Sequence, residues 1–216
     1  MLTNMVVMSA GCDYTTGQTT ASLRRKSGSA FQNIATFDCE LCDQVSGGLT
    51  KTGSGTLGLE AVNTYTGPTV VKSGALRLNG DNVINPASVL MLDGGNFDVN
   101  GKVQTFSDFE WKSGAVLNGT VSVTALTVDF NRVLAGDVKF VNSAYVEYAA
   151  DAEFALLNYE PGRLDPSKSY WLCRFVGGIP VGLPTVQIDL PTGFYLSVEN
   201  RGIRIVRASG MVIKIR

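Results

Sequence analysis

The sequence predicts an all-β protein whose strands are wound into a solenoid. Three observations carry this prediction: apolar and polar residues alternate along most of the chain, helical spacing of apolar residues is nearly absent, and turn signals return at a regular interval. The alternating segments are short and rich in Val, Leu, Thr and Phe, as is typical of half-buried strands. Examples are residues 75–78, 120–123 and 137–141. The most helix-like stretch, 145–157, is interrupted by aromatic and β-branched residues.

The turns give the interval. Asn-Gly pairs stand at 79–80, 100–101 and 118–119, which are 21 and 18 residues apart. Lys72-Ser-Gly-Ala-Leu76 returns as Lys112-Ser-Gly-Ala-Val116, forty residues later. A period near twenty indicates that each period is one coil and that successive coils stack into parallel sheets, with strands about 4.8 Å apart. A β-sandwich would also have short alternating strands, but it would not explain the near-repeats.

The composition argues against several classes of function. Lys and Arg (18) nearly balance Asp and Glu (19), and the net charge of −1 argues against nucleic acid as a main partner. The chain has no histidine, which rules out Ser-His-Asp and Cys-His triads, His-ligated zinc and the H-E-x-x-H helix. No apolar run approaches the roughly 20 residues of a membrane span, so we expect no membrane insertion.

Four cysteines, Cys12, Cys39, Cys42 and Cys173, leave their oxidation state open. Cys39 and Cys42 form a C-x-x-C, which in a strand–helix context would indicate redox chemistry or half of a zinc site. Their flanks instead predict a strand running into a Gly turn, with no helix to lower the pKa of a thiol. We therefore favour structural thiols or disulfides over metal binding or redox catalysis, and export would favour disulfides further.

Three consecutive segments resemble the autotransporter-associated β-strand repeat found in the passenger regions of large exported bacterial proteins. They are Gly47-Gly-Leu-Thr-Lys-Thr-Gly-Ser-Gly-Thr-Leu-Gly-Leu59, Asn63-Thr-Tyr-Thr-Gly67 and Thr69-Val-Val-Lys-Ser-Gly-Ala-Leu76. Gly58 stands where that family usually has Thr or Ser, and Pro68 replaces a Gly. The likeness continues more loosely towards the C-terminus. It implies a single-stranded right-handed parallel β-helix from an exported surface protein, as a passenger fragment or a relative exported by another route.

We predict one continuous domain with three parts. Residues 1–30 form an N-terminal lead-in or cap, residues 31–160 form five or six coils of parallel β-helix, and residues 161–216 form a C-terminal antiparallel β cap. From Arg163 onwards, prolines separate longer alternating strands and Asn200-Arg-Gly202 predicts a turn, which together indicate a meander. Such a meander would cover the unpaired amides and apolar cross-section that a solenoid leaves at its last coil.

Several motifs point to chemistry that their surroundings do not support. Residues 53–58 satisfy G-x-G-x-x-G, but the dinucleotide fingerprint needs a following helix, and a turn comes too soon. Lys51-Thr-Gly53 matches an element of penicillin-recognising enzymes but lacks the accompanying Ser-x-x-Lys. We interpret both as parts of the repeat. The basic triplet Arg24-Arg25-Lys26 is interpreted as a solvated loop rather than a contact to an anionic surface.

Two sets of side chains require a choice between a site and ordinary packing. Five carboxylates could belong to a polysaccharide lyase, which needs carboxylates on adjacent coils around calcium and a basic residue nearby. They are Asp93, Asp98, Asp108, Glu110 and Asp129. Their spacings do not stack at one period, so we interpret them as solvated. Four aromatic residues could form a sugar-stacking platform, but core or cap packing is favoured. They are Tyr65, Trp111, Trp171 and Tyr195.

We therefore predict no catalytic, cofactor-binding or metal-binding residue and no cofactor. The expected function is non-enzymatic: a rigid stalk or display scaffold of a protein that is secreted or held at the bacterial cell surface. Two alternatives stay open. One is an adhesin or self-assembling module that binds glycans, a host surface or copies of itself, and the other is a polysaccharide-active β-helix enzyme.

Overall fold

The computed structural model describes residues 6–8, 24–25, 34–37, 48–137, 145–174, 185–186, 188–199 and 202–208. These residues are mostly in β-strands, with one short α-helix, α1 (Phe130–Ala135), and a 3-10 turn at Pro161–Arg163. The strands are Val6–Met8 (β1), Arg24–Arg25 (β2), Ile34–Phe37 (β3), Leu49–Lys51 (β4), Thr56–Leu59 (β5), Thr69–Val71 (β6), Ala75–Leu78 (β7), Val89–Asp93 (β8), Asn96–Ser113 (β9), Val116–Asp129 (β10), Tyr145–Leu157 (β11), Tyr170–Arg174 (β12), Thr185–Val186 (β13), Phe194–Glu199 (β14) and Gly202–Arg207 (β15).

The strands stack in two long parallel series and a shorter third one, and each residue lies above its aligned partner in the preceding coil. The third series consists of residues 102–106 of β9, 119–123 of β10 and 145–148 of β11. In the first series β4, β6 and β8 are followed by the later parts of β9, β10 and β11. Its aligned positions are Leu49, Thr69, Leu90, Phe109, Leu126 and Phe154. In the second series β3, β5 and β7 are followed by the early parts of β9 and β10. Its aligned positions are Ala35, Leu57, Leu76, Phe97 and Val116.

This architecture confirms the predicted parallel β-solenoid and its period. Leu49, Thr69 and Leu90 are 20 and 21 residues apart and lie on adjacent coils. The described residues hold about four turns. The predicted five or six coils between residues 31 and 160 include residues outside the described ones, so that number stays a prediction. The step from Leu126 to Phe154 is longer than the others, takes 28 residues and contains α1. The stretch 145–157, the most helix-like part of the sequence, is strand β11, in agreement with the all-β prediction.

Inward-facing residues of the two long series form one continuous apolar core. Leu57, Leu76, Phe97 and Val116 are stacked in register and fully buried, while the alternate residues of each strand face outwards. Burying one such side chain stabilises the fold by about 1.5–3 kcal/mol. Because every coil repeats the same inward positions, the core extends along the stack rather than forming a sphere.

Antiparallel strands close the first coil. β1 pairs antiparallel with β4, and β2 pairs antiparallel with β3, so each edge strand of the first coil has a partner. Open parallel edges are templates for aggregation, and antiparallel pairing ends the parallel stack on this side.

A three-stranded antiparallel sheet lies at the other end, as predicted for the C-terminal region. Its order is β12-β15-β14, so β15 lies between the other two strands. The sheet therefore differs from the predicted meander, in which each strand would pair with the next one along the chain. Tyr170, Leu172, Ile203 and Ile205 of this sheet join the same buried cluster as the solenoid core. A further strand predicted at residues 212–215 lies outside the described residues.

Helix α1 was not predicted, although its two ends carry ordinary signals. The Asp129 carboxylate accepts a hydrogen bond from the backbone N–H of Asn131 at 2.7 Å, and Gly136 ends the helix with φ of 74°. Phe130 and Val133 turn into the core between two coils. Within the described residues, no helix has the length and apolar character needed to cross a membrane.

Candidate functional site

Glycines occupy one corner of each coil because the coils approach too closely there for any side chain. Gly74, Gly94 and Gly114 have φ of 68°, 118° and 85°. A Cβ atom on Gly74 would lie 2.3 Å from the Gly55 carbonyl oxygen, and one on Gly114 would lie 1.8 Å from that of Gly95. The near-repeat Lys-Ser-Gly noted in the sequence is therefore the sequence signature of this corner.

Lys51 occupies the same corner and is a fully buried lysine, with 1% of its surface exposed. Its ammonium group donates hydrogen bonds to the carbonyl oxygens of Thr52 at 2.7 Å, Gly53 at 2.8 Å and Ser73 at 3.1 Å. These three bonds use all three ammonium protons, and the last one reaches the next coil. Burial lowers the pKa of Lys51. The Lys-Thr-Gly motif thus serves the corner of the solenoid.

We expect Lys51→Met to destabilise the fold by about 2 kcal/mol, because the Met side chain fills the same space but leaves three partly buried carbonyl groups without a donor. Urea unfolding of the full chain, followed by far-ultraviolet circular dichroism, measures the change. Lys72→Met is the matched control, because the Lys72 side chain is exposed. Equal midpoints for the two variants would contradict a role of the buried ammonium group in holding the corner.

A chain of buried hydroxyl groups joins two coils on another side of the solenoid. The Tyr65 and Thr69 hydroxyls are 2.8 Å apart, and the Thr69 and Ser88 hydroxyls are 3.1 Å apart. Ser88 donates in turn to the Gly67 carbonyl oxygen at 2.7 Å. Burial raises the pKa of Tyr65 far above its ordinary value, and the hydrogen bond to Thr69 opposes this shift only in part.

This shift predicts a loss of stability in alkali. Above the ordinary tyrosine pKa of 10.0 the unfolded chain ionises while folded Tyr65 keeps its proton, so the folded state holds more protons. The free energy of unfolding should fall as the pH rises past this value, by up to about 1.4 kcal/mol per pH unit. Urea unfolding at a series of pH values should show a shallower decline for Tyr65→Phe. Tyr195→Phe controls for the loss of a hydroxyl, and identical declines for wild type and Tyr65→Phe would refute the assignment.

Two buried amide side chains also bridge neighbouring coils. Asn63 donates from Nδ2 to the Val83 carbonyl oxygen at 2.7 Å. Gln104 donates from Nε2 to the Ile84 carbonyl oxygen at 2.8 Å and accepts from the Ile84 N–H at 3.1 Å. Residues 83–84 are not in a strand, so the side chain of Gln104 makes the two hydrogen bonds to the Ile84 backbone that a neighbouring strand would otherwise make.

The sequence predicted a turn at each of three Asn-Gly pairs, and two of these pairs have the left-handed backbone that Asn and Gly favour. Asn100 and Asn118 have φ of 55°, and a Gly with positive φ follows each of them. Asn118 donates from Nδ2 to Asp98 at 2.9 Å, so this turn is also bonded from coil to coil. The pair at 79–80 differs, because neither residue is left-handed and the positive φ falls on Asn82.

The structure does not bring all five candidate carboxylates together, but three of them surround one lysine: the hydrogen bond to Glu110 and the charges of Glu110, Asp93 and Asp129 raise the pKa of Lys112. None of them is aligned with another member of the set across neighbouring strands. Asp98 contacts Arg77, Glu110 contacts Lys112 with 2.8 Å between Nζ and Oε1, and Asp129 caps α1. Asp93 and Asp108 are exposed. Over the part of the chain that the structure describes, no three His, Cys, Asp or Glu side chains could jointly hold a metal ion.

The four candidate aromatic residues separate into two pairs. Trp111 and Tyr65 are buried in the core, which confirms the packing interpretation for both. Trp171 is half-buried on β12 beneath Arg204, whose guanidinium carbon lies 5.4 Å from the ring centroid. Tyr195 on β14 is 45% exposed.

The glycine motif, the basic triplet and the cysteines lie as follows. Strand β5 begins at Thr56, inside the G-x-G-x-x-G motif, so no helix follows it. Arg24 and Arg25 form strand β2, paired with β3, rather than the predicted loop, whereas Lys26 lies outside the described residues. Cys12, Cys39 and Cys42 also lie outside them, and Cys173 is placed only by its backbone on β12. The disulfide prediction therefore stays a prediction.

Comparison with known proteins identifies one segment of the solenoid. No curated protein and no solved structure matches the chain at a significant level. Residues 49–78, however, match the family described as passenger-associated-transport-repeat. The matched segment runs from β4 to β7 and includes the Lys51 corner, Tyr65 and Gly74. The predicted resemblance is confirmed here: residues 49–78 carry a passenger-associated transport repeat.

Proposed function

We propose that this chain is a non-enzymatic structural module, a rigid stalk or display scaffold, of an exported bacterial surface protein. The repeat at residues 49–78 and the parallel β-solenoid together fit an autotransporter passenger-like β-helix. The observation that carries the proposal is that buried polar side chains in the solenoid bond one coil to the next.

The buried polar side chains of the solenoid form hydrogen bonds between neighbouring coils. Each has a hydrogen-bond partner about one coil away along the chain, as in the bonds from Lys51 to Ser73, from Asn63 to Val83 and from Gln104 to Ile84. A ligand site needs polar groups that converge on a shared open space. These groups instead point at the neighbouring coil, where an unsatisfied partner would cost about 1–3 kcal/mol. Such bonding supports a stiff rod whose useful property is its shape.

Incubation of the full chain with common polysaccharides tests the non-enzymatic part of this proposal. We expect no cleavage products, and we expect a calcium chelator to leave the thermal midpoint unchanged. Release of oligosaccharides, or a clear fall of the midpoint on chelation, would favour the alternative of a polysaccharide-active β-helix enzyme.

Protease treatment of intact bacterial cells that make this protein tests export to the surface. Before treatment, an antibody should label the chain on unbroken cells or detect it in the medium. The added protease should reach the chain on the cell surface, while a cytoplasmic marker stays protected from the protease. Detection only after lysis would overturn the proposed localisation. Limited digestion should also show that the solenoid, residues 48–137, resists cleavage.

A glycan-binding adhesin is the second candidate, favoured by one observation on the antiparallel sheet. Trp171, Arg204 and Ser197 are aligned across its three strands, and Tyr195 lies two residues from Ser197 on the same face. Aromatic rings beside hydrogen-bonding groups suit the apolar face and hydroxyls of a sugar. Glycan-array binding that disappears in Tyr195→Ala would support this function, and equal signals from both proteins would exclude this face.

A further inference from the structure

Strand β14 has an edge that no described strand covers. It stands at the end of the sheet order β12-β15-β14 and pairs only with β15. At the opposite edge of the same sheet, helix α1 lies against β12. In the larger sheet β1 covers β4 and β2 covers β3, which leaves β1 and β2 as short edge strands of three and two residues. Edge strands offer rows of free N–H and C=O groups, so an uncovered edge can pair with a strand of another chain.

The register of the β14–β15 hairpin shows which backbone groups face outwards. The Ala208 N–H donates to the Gly193 carbonyl oxygen at 2.8 Å, which places a hydrogen-bonded pair at that point. In an antiparallel ladder such pairs recur every second residue, so Tyr195, Ser197 and Glu199 bond to β15. The N–H and C=O groups of Leu196 and Val198 therefore point away from β15, to the uncovered edge.

The sequence of β14 lacks the usual protection of an exposed edge. Its six residues, FYLSVE, include no Lys, Pro or Gly, and the pairing with β15 runs without a bulge. The single charge in the strand, on Glu199, lies at its end and pairs with Arg204. Phe194 and Tyr195 are aromatic and Val198 is β-branched, and residues of these types favour strand pairing.

We propose that β14 pairs antiparallel with β14 of a second copy of this chain, so that two three-stranded sheets join into one of six strands. The two-fold axis passes between the two Ser197 residues, and Leu196 of each copy lies opposite Val198 of the other. This register satisfies the outward N–H and C=O of both Leu196 and Val198 in each copy. It also places Tyr195 opposite Glu199, so no two like charges face each other.

The interface is small, because a single strand from each copy meets the other. Contacts that bury little surface are typically transient, so we expect a dimer that forms and dissociates with concentration. A second copy is a better partner than an unrelated strand because the alternation of outward and inward residues in β14 matches itself about Ser197.

A charge-swap experiment on Ser197 tests this pairing. In the proposed dimer the two Ser197 residues form a non-hydrogen-bonded pair, with Cα atoms about 4.5 Å apart. Ser197→Lys and Ser197→Glu each place like charges opposite each other, so each should dimerise at least about tenfold more weakly than wild type. An equimolar mixture of the two variants should recover the dimer, because opposite charges then meet across the axis.

Sedimentation velocity of the full chain over a range of concentrations gives the readout. Ser107→Lys is the matched control, since Ser107 is also a half-buried strand residue but lies on β9 of the solenoid. It should dimerise like wild type. A wild-type chain that stays monomeric up to its solubility limit, or variants that associate as wild type does, would overturn the proposal. So would a mixture that stays monomeric while each variant keeps its wild-type circular dichroism. None of these outcomes bears on whether the chain is a surface stalk.

Discussion

Gly114→Ala is expected to destabilise the chain by about 4 kcal/mol or more, among the largest effects of any single substitution. The added Cβ would lie 1.8 Å from the Gly95 carbonyl oxygen, and that oxygen belongs to the backbone of the preceding coil. Backbone cannot rotate away as a flexible side chain can, so the coils must separate. The φ of 85° at Gly114 adds strain for any residue with a Cβ. Urea unfolding measures the loss.

Gly101→Ala separates the two causes. Gly101 has a comparable φ of 74°, but nothing lies within 4 Å of the position that a Cβ would occupy. Its alanine variant should therefore lose only the about 1–2 kcal/mol of a left-handed residue. The difference between the two variants measures the cost of pushing neighbouring coils apart. Similar losses for both would mean that the close approach at Gly114 is not tight in solution.

Trp111→Ala is the second large effect, with an expected loss of about 3–5 kcal/mol. Trp111 is fully buried and stacks on Phe109 with 5.7 Å between ring centroids. Its indole N–H donates to the Gly114 carbonyl oxygen at 3.1 Å, and the Arg132 guanidinium lies 4.2 Å from its ring centroid. Removing the ring leaves a cavity and takes a cation–π partner from Arg132, whose side chain is itself buried.

Two further variants make this prediction specific. Trp111→Phe keeps an aromatic ring against Phe109 but loses the indole N–H, so its stability should fall between those of wild type and Trp111→Ala. Trp171→Ala removes the same side chain from a half-buried position and should cost much less. Urea unfolding of all three variants provides the comparison. Equal losses at Trp111 and Trp171 would contradict a core that runs through the stacked coils.

The sequence was most informative where one residue type meets a geometric requirement in every coil. The Lys-Ser-Gly near-repeat predicted a period, and Gly74 and Gly114 show its cause, since only Gly fits where the coils touch. Asn100 and Asn118 adopt the left-handed conformation that the Asn-Gly pairs suggested. Alternation likewise predicted the inward ladder of Leu57, because burial on one face of a strand follows a period of two.

Other features depend on contacts that no local pattern encodes. Lys51 reads as an exposed lysine in a turn, and only the approach of Ser73 from the next coil shows that it is buried. Gln104 likewise looks like a surface residue until the strandless segment at 83–84 is placed beside it. The six-residue helix α1 is too short for helical periodicity to show, although Asp129 and Gly136 mark its two ends.

The same reasoning accounts for the candidate site. Sequence motifs at Lys51 and in residues 53–58 resemble those of enzymes because tight corners and phosphate loops both need glycines. The structure assigns Lys51 and residues 53–55 to a corner and residues 56–58 to strand β5. The carboxylates that suggested a lyase have no aligned partners within their set. The residues that matter most for the proposed function are therefore polar residues inside the solenoid, which composition alone does not distinguish from surface residues.

Amide nuclear Overhauser contacts in the isotopically labelled full chain test the stacking of coils most directly. The structure aligns Met91 with Glu110 and Glu110 with Thr127, in parallel. We expect contacts between amide protons of residues 17–21 positions apart along both long strand series, since this is the observed step between most adjacent coils. Strong Hα–Hα contacts typical of antiparallel pairs within residues 49–128, or the absence of contacts at that separation, would contradict a parallel solenoid.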